Sequence, residues 1–430
     1  MSYLVTGGRV ISPRDGIDER SDVLIDGGHI ETIGQGLSAK GAERVDATGL
    51  IVCPGFVDLH AHLREPGRED EETIASGSDA GAAGGFTALC AMPNTQPVAD
   101  SASIVEKVWA LGREAGTLQV VPAGALSVGL EGERMAAYGA MATSAARVKL
   151  FTDDGHGVQD AGFARRAMEY LVAFDGIYAE HCEDAGLAAG GHMHEGERSS
   201  SLGLRGVPAA AEEIMAARDI DLCRLTGCRL HLLHISTART VELVRRAKDE
   251  GLPVTAEATP HHFALTDELV ESYDPNAKVN PPLRTDEDCA AIRAGLADGT
   301  IDAIATDHAP HAPEEKELDF ASAPPGMIGL ETALAITMTE LVQPGVLSLD
   351  AAIDLLSARP AAILGLDEQG SIAQGRAANV AIFSPDERWT VDPNAFRSKS
   401  RNTPFAGREV VGRVRYTFFE GRLVYSGVAE

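Results

Sequence analysis

Residues 55–63 read GFVDLHAHL, a β-rich apolar run that closes on two histidines two positions apart. Residues two apart on a strand share a face, so His60 and His62 project together from the strand's end. Seven further runs of this kind follow, at 86–92, 118–126, 147–154, 177–183, 229–236, 253–259 and 301–308. Stretches rich in Ala, Glu and Arg, with helical period, separate them. Eight strands of this kind alternating with helices predict an α/β fold, a TIM-like (β/α)8 barrel. An open doubly wound sheet would carry a Gly-rich phosphate turn after its first strand, and neither GxGxxG nor GxxxxGK[ST] occurs there.

Outward from the barrel, both ends of the chain change rhythm. The first ~50 residues alternate apolar and polar positions around Gly7-Gly8 and Gly27-Gly28, which reads as short antiparallel strands joined by tight turns. The last ~60 behave alike, with strands at 379–383, 410–419 and 422–425 and a hairpin turn at Glu420-Gly421. Two terminal β segments flanking one long middle predict a small β-sandwich domain built from residues 1–51 and 366–430, around a barrel at 52–365.

Composition removes several classes of function. Of 430 residues, 64 are acidic and 37 basic, a net charge of −27, so the basic face that phosphate neutralisation needs is missing and neither nucleic acid nor an anionic membrane surface is expected. No basic n-region precedes an apolar run at the start, and no apolar stretch approaches ~18 residues. Six cysteines without a CxxC pair read as reduced, buried thiols of a cytoplasmic protein.

In a barrel the chemistry collects where strands end, at the C-terminal face. Strand one ends on His60 and His62, strand four on Asp153-Asp154, strand five on His181, strand six on His234 and strand eight on Asp307-His308. One mouth would gather all of these, and imidazole with carboxylate suits zinc, with Mn²⁺, Co²⁺ or Fe²⁺ as alternatives.

The segments GFVDLHAHLREPG (55–67), AMPNT (91–95), FTDDG (151–155), AEHCED (179–184), HIS (234–236), TPHH (259–262), NPPLR (280–284) and ATDHAPH (305–311) occur in this order over nearly the whole chain. Together they resemble the bacterial class I dihydroorotases of the amidohydrolase superfamily. The resemblance implies reversible, zinc-dependent cyclisation of N-carbamoyl-L-aspartate to L-dihydroorotate in pyrimidine synthesis. It implies two zinc ions, one held by His60, His62 and Asp307, the other by His181 and His234, with Asp154 bridging. Asp307 would carry the proton between the attacking water and the ring nitrogen. His62, Arg64, Asn94, Asn280 and His311 would contact substrate, together with Pro325 and Gly326, although the family pattern has an aromatic residue where Pro325 stands. The partners implied are the small-molecule substrate, a second copy in a homodimer and, in some relatives, aspartate transcarbamoylase.

Two rival readings share the fold. A hydantoinase, dihydropyrimidinase or allantoinase would bridge its metals with a carboxylated lysine on strand four, for which Lys149 is the candidate. A non-catalytic scaffold would have lost ligands, whereas each expected ligand position here is filled. Other histidines have plainer readings: His192 and His194 in an irregular insertion, His231 packed on the opposite strand face, His261 and His262 as support past strand seven, His308 structural, His29 and His156 on the surface. Asp153 faces away from Asp154 and fixes a neighbouring loop. The run Glu314-Glu315-Lys316-Glu317 reads as a solvated loop suited to a lid.

Overall fold

The computed structural model describes residues 1–427. Eight parallel strands form the central barrel: Phe56–Ala61, Phe86–Ala91, Gln119–Pro122, Leu150–Phe151, Ile177–Glu180, Arg229–Leu232, Val254–Ala258 and Ala303–Ile304. Regular ladders join the first three and the last five. Single parallel bridges close the two seams, Gly124 to Phe151 and Ala61 to His308. These seams are carried by His62 N donating to His308 O at 2.8 Å and Thr152 N donating to Gly124 O at 2.9 Å. Strands three, four and eight are shorter than the apolar runs predict. Their C-terminal residues leave the regular ladder to present side chains, and Asp307, beyond strand eight, has a left-handed φ of 46°.

Every residue of Phe56–Ala61 and Phe86–Ala91 is buried, as expected of strands packed between barrel interior and surrounding helices. The helices begin where the sequence supplies caps. Thr73 accepts from Ser76 N at 3.0 Å, and Thr285 forms a reciprocal capping box with Asp288.

The chain termini share one eight-stranded sheet. Ile51–Pro54 pairs antiparallel with Val380–Thr390, Cys53 opposite Ala381, so the two ends meet immediately before the first barrel strand. Inward side chains from both ends, including Val5, Val23, Ile30, Val52, Val380, Ile382 and Phe418, form one apolar cluster. Gly27-Gly28 makes the expected turn, with φ of 55° and 90°. Gly7-Gly8 does not: it lies inside the strand Tyr3–Ser12, where the register shifts between Val5 and Gly8. Close packing rather than chain reversal selects glycine there, because a Cβ on Gly8 would stand 2.6 Å from Val52 Cγ2.

Gly84 shows the same constraint between barrel and loop, since a Cβ there would meet the carbonyl oxygen of Leu330 at 2.1 Å. Backbone cannot yield as a side-chain tip can. Gly84→Ala is therefore expected to lose about 1–3 kcal/mol of stability, read from urea unfolding, and an unchanged midpoint would show that the loop at 330 moves freely.

Candidate metal centre

Asp154 occupies the middle of the barrel mouth. Its Oδ2 lies 3.4 Å from His60 Nε2 and 3.4 Å from His62 Nε2. Its Oδ1 lies 3.4 Å from His234 Nε2 and 3.6 Å from His181 Nδ1. One carboxylate thus presents one oxygen to each of two histidine pairs. Asp307 completes the first group, its Oδ1 3.1 Å from His62 Nε2 and 3.5 Å from His60 Nε2. Alternation along strand four aims Asp154 inward. Asp153, its neighbour, turns away and accepts from Leu126 N and Ser127 N at 2.8 and 2.9 Å, fixing the loop after strand three as expected.

These residues fit a metal by their donors and spacing. Ligands about 2.0–2.1 Å from one tetrahedral ion stand roughly 3.3 Å apart. His60 Nε2 is buried with no hydrogen-bond partner among the described residues. His181 Nδ1 and His234 Nε2 approach to 3.0 Å, both turned toward Asp154, as two lone pairs sharing a cation would be. The electrostatics agree. Burial disfavours a charged His60, yet Asp154 and Asp307 outweigh it and hold the imidazole well above its ordinary pKa. Burial also opposes charge on His181, but Asp154 and Glu183 push it up to about 10. The carboxylates thus favour positive charge at His60 and His181, whereas at His62 burial wins and holds the imidazole below its ordinary pKa.

Backbone conformation at three of these positions is unusual. Arg64, His234 and Asp307 are non-glycine residues with left-handed φ of 61°, 31° and 46°. Such conformations cost of order ~1–3 kcal/mol each and are held by surrounding structure at functional sites. The first strand ends at Ala61, so Arg64 reaches the cavity through its turned backbone. Its Nε donates to Pro310 O at 3.0 Å and its terminal amino groups make no hydrogen bond among the described residues.

Two side chains hold the first histidine pair in one tautomer. His62 Nδ1 donates to Asn94 Oδ1 at 2.9 Å, which leaves Nε2 free to ligate. His60 Nδ1 donates to Glu257 Oε1 at 2.9 Å, and His231 Nε2 donates to Glu257 Oε2 at 3.0 Å. Thr255 Oγ1 stands 2.8 Å from His231 Nδ1. Burial would raise the Glu257 pKa, but its two imidazole donors bring it down to about 2. Sequence reading missed Glu257. Its one signal is an isolated acid at the end of an otherwise apolar strand seven. His231 is packed, as expected, and its work is to fix Glu257.

The cavity above the histidines holds about 190 Å³, room for a small one-ring molecule. His62, Arg64, Asn94, Asp154, His181, Asn280, Asp307, His311, Pro325 and Gly326 all line it. Asn280 Nδ2 lies 3.2 Å from His181 Nε2. His311 has both ring nitrogens engaged, Nε2 with Pro325 O at 2.9 Å and Nδ1 with Glu315 at 3.1 Å. The backbone N–H of Gly326 donates to Lys278 O at 2.8 Å. A wider cleft of about 300 Å³ between the barrel and the C-terminal strands, lined by Glu331, Trp389 and Tyr425, contains none of these residues.

The remaining readings divide. His308 pairs with Glu72 at 3.3 Å, and His262 is locked between Thr259 and Pro281 O, both structural. His194 lies beside Arg284 Nη1 at 3.2 Å, in a short two-stranded ladder, outside the histidine group. The acidic run at 314–317 is not simply solvated. Lys316 is buried and donates to Pro275 O and Pro324 O, and Glu315 pairs with Arg68 and His311. Lys149 is 39% exposed and lies 3.6 Å from Asp175 Oδ2, at the N-terminal end of strand four.

Asp154→Ala is expected to lose bound metal while Lys149→Ala keeps it, by elemental analysis of purified protein. Loss of metal from the lysine variant, restored by short carboxylic acids, would instead point to a carbamate bridge. Glu257→Gln is expected to weaken metal binding about 10–100-fold in competition with a chromogenic chelator. Unchanged affinity would remove Glu257 from the support of His60.

Comparison with known proteins gives a consistent picture. Residues 49–240 match the family model described as dihydro-orotase-like, and residues 226–425 match that of the amidohydrolase family. A dihydroorotase of Streptomyces coelicolor is 51% identical over 97% of this chain and 97% of its own. One from Pelotomaculum thermopropionicum is 49% identical over 99% of this chain and 98% of its own. Among solved structures, L-hydantoinase (dihydropyrimidinase) from Arthrobacter aurescens superposes with TM-score 0.87 at 27% identity, covering 99% of this chain and 96% of its own. Dihydropyrimidinase from Brevibacillus agri gives TM-score 0.85 at 23% identity over 99% and 95%, a likeness of fold alone.

Proposed function

We propose that this chain, which belongs to the dihydroorotase family of the amidohydrolases, interconverts N-carbamoyl-L-aspartate and L-dihydroorotate in pyrimidine synthesis. The observation that carries the reading is the Asp154 carboxylate between two histidine pairs, beneath a cavity whose wall presents Arg64, Asn94 and His311.

His60, His62 and Asp307 would hold one zinc ion, His181 and His234 a second, and Asp154 would bridge them. When bound, such ions lower the pKa of water and polarise an amide carbonyl. The chain's own residues do the rest. Asp307 is ionised, because the histidines around it overcome burial and hold its pKa below the ordinary carboxylate range. It can accept the proton of the attacking water and deliver it to the ring nitrogen as the C–N bond breaks. In the other direction it takes the proton from the carbamoyl nitrogen as the ring closes. Arg64 presents its free terminal amino groups to the substrate carboxylate, an arrangement suited to bidentate pairing. Asn94 can donate its amide N–H beside it, since its Oδ1 is already used by His62. Asn280 faces the ring. His311 joins the carboxylate contact once its link to Pro325 O is exchanged, and Pro325 and Gly326 roof the cavity.

The hydantoinase alternative needs a lysine carbamate reaching the two histidine pairs, whereas the Lys149 side chain is 39% exposed and its Nζ lies 3.6 Å from Asp175 Oδ2. Among the described residues no helix is long and apolar enough to cross a membrane. The six cysteines are unpaired and buried, which suits the cytoplasm. The homodimer is part of the proposal, as is association with aspartate transcarbamoylase in some settings.

Hydrolysis of dihydroorotate, measured with added zinc beside dihydrouracil, hydantoin and allantoin, tests the reading. Turnover of dihydroorotate should dominate, and preference for a ring without a carboxylate would overturn it. Arg64→Lys should keep fold and metal but lose about 1.5–3 kcal/mol of transition-state binding, roughly ten- to hundredfold in kcat/KM, because an ammonium cannot reproduce two parallel hydrogen bonds. Near-normal kcat/KM in this variant would take Arg64 out of the site.

A further inference from the structure

Outside the metal-ligand set, five charged or ionisable side chains meet on one side of the cavity. Glu71 is fully buried, lies 3.0 Å from Arg64 Nε, is ion-paired to Arg68, and approaches His311 Nδ1 at 3.5 Å. Arg68 Nη2 donates to Glu315 Oε1 at 2.6 Å, and Glu315 Oε2 lies 3.1 Å from His311 Nδ1. Arg64, Arg68 and Glu71 follow the first barrel strand, whereas His311 and Glu315 follow the eighth. The cluster therefore crosses the barrel's closing seam. Ligand atoms of Glu71, His311 and Glu315 lie within 4.8 Å of one another, close enough to hold a cation. Two guanidinium groups already balance the two carboxylates there, so a divalent ion would add an uncompensated buried charge. The cluster is electrically closed without one, and its purpose lies in what it touches.

We propose that Arg68, Glu71 and Glu315 form a clamp that fixes Arg64 and His311 in one relative geometry, making these three the positioning residues for the substrate carboxylate. The Arg64 Nε–H is donated to Pro310 O, Glu71 Oε2 stands 3.0 Å from the same Nε and holds that edge by charge, and the terminal amino groups are left facing the cavity. Glu71 and Glu315 both address His311 Nδ1, which sets the ring plane so that Nε2 points toward Pro325 and the cavity roof. Arg68 ties the two carboxylates together. A displacement of about 1 Å in a binding group is enough to lose much of the benefit of orientation, and two readers on separate loops need a common anchor. This inference rests on the proposed roles of Arg64 and His311.

A clamp and a simple field make opposite predictions, which the choice of variant separates. Glu71→Gln removes a negative charge beside Arg64, and a field alone would then tighten binding of an anionic substrate. Arg68→Gln removes a positive charge, and a field alone would loosen it. For a clamp both variants loosen binding. The expected result is a rise in KM for dihydroorotate of roughly tenfold in each, with kcat within about threefold of the parent and metal content unchanged. In an Arg64→Lys background Glu71→Gln should add much less than it does alone, because its effect passes through the guanidinium. Changes of opposite sign, or an unchanged KM in both, would overturn the clamp. Should the buried Glu71 variant fail to fold, Arg68→Gln and Glu315→Gln form the same opposed pair at 35% and 29% exposed positions. Parent protein that does not turn over dihydroorotate defeats the proposed activity, whereas an active parent with unmoved variants defeats the clamp alone.

Discussion

Everything at the barrel mouth depends on one carboxylate reaching two histidine pairs at once. Asp154 can do so only if strands one, four, five and six end at the same height with their last inward residues converging. The closed barrel enforces this convergence, since no strand can slip without breaking a seam held by single bridges at Gly124 and Ala61. The convergence has an energetic consequence. Asp154, Asp307 and Glu257 bring three carboxylates into a buried volume, and isolated charges there would be strongly disfavoured. Four histidines and their donors compensate. Glu257 is satisfied by His60 and His231, whereas Asp154 and Asp307 face the ring nitrogens of the histidine pairs, of which His60 Nε2 has no hydrogen-bond partner among the described residues. Positive charge on His60 and His181, or a cation bound in its place, balances Asp154 and Asp307.

The support around the centre is as ordered as the ligands. Thr255, His231, Glu257 and His60 form a chain in which each proton has one place to go. Ionised Glu257 can only accept, so both flanking imidazoles donate to it, and a neutral His60 would keep its lone pair on Nε2. Asn94 does the same for His62 and retains an N–H for the cavity. The terminal sheet, by contrast, contributes no metal ligand. It packs beside the first barrel strand and joins the two chain ends through Ile51–Pro54 and Val380–Thr390. Asn402, between the two C-terminal strands of that sheet, still reaches the roof, donating to Ala309 O at 2.9 Å and Gly326 O at 3.1 Å.

Which features could be read from sequence follows from how they are encoded. The residues gathered at the barrel mouth were legible because alternation and the barrel rule act locally: His60, His62, Asp154, His181, His234 and Asp307 each terminate an apolar run. The pairing of both chain ends was legible from a change in hydrophobic rhythm. Glu257 was not, because a lone acid in a strand has no local partner and acquires meaning only when strands one, six and seven are adjacent. The turn that carries Arg64 into the cavity was not legible either, since a left-handed φ at a non-glycine residue leaves no trace in composition. Gly7-Gly8 misled because glycine serves turns and close packing equally. The run at 314–317 looked solvated because charge was counted without its partners, Arg68, His311 and two backbone carbonyls.

An aspartate and a modified lysine would reach the space between the two histidine pairs by different routes. A lysine carbamate has a long arm and can originate deep in a strand, so its bridge position is set by side-chain length and by a reversible reaction with CO₂. Aspartate has one methylene and must originate at the mouth itself. Here strand four is regular for only two residues, Leu150–Phe151, and the chain then runs through Thr152 and Asp153 to Asp154. Asp153 is what makes this short strand rigid, because its carboxylate accepts two backbone N–H groups from the neighbouring loop. The Asp154 side chain has few rotatable bonds and its backbone follows the fixed Asp153, so the fold alone sets where its carboxylate stands between the histidine pairs.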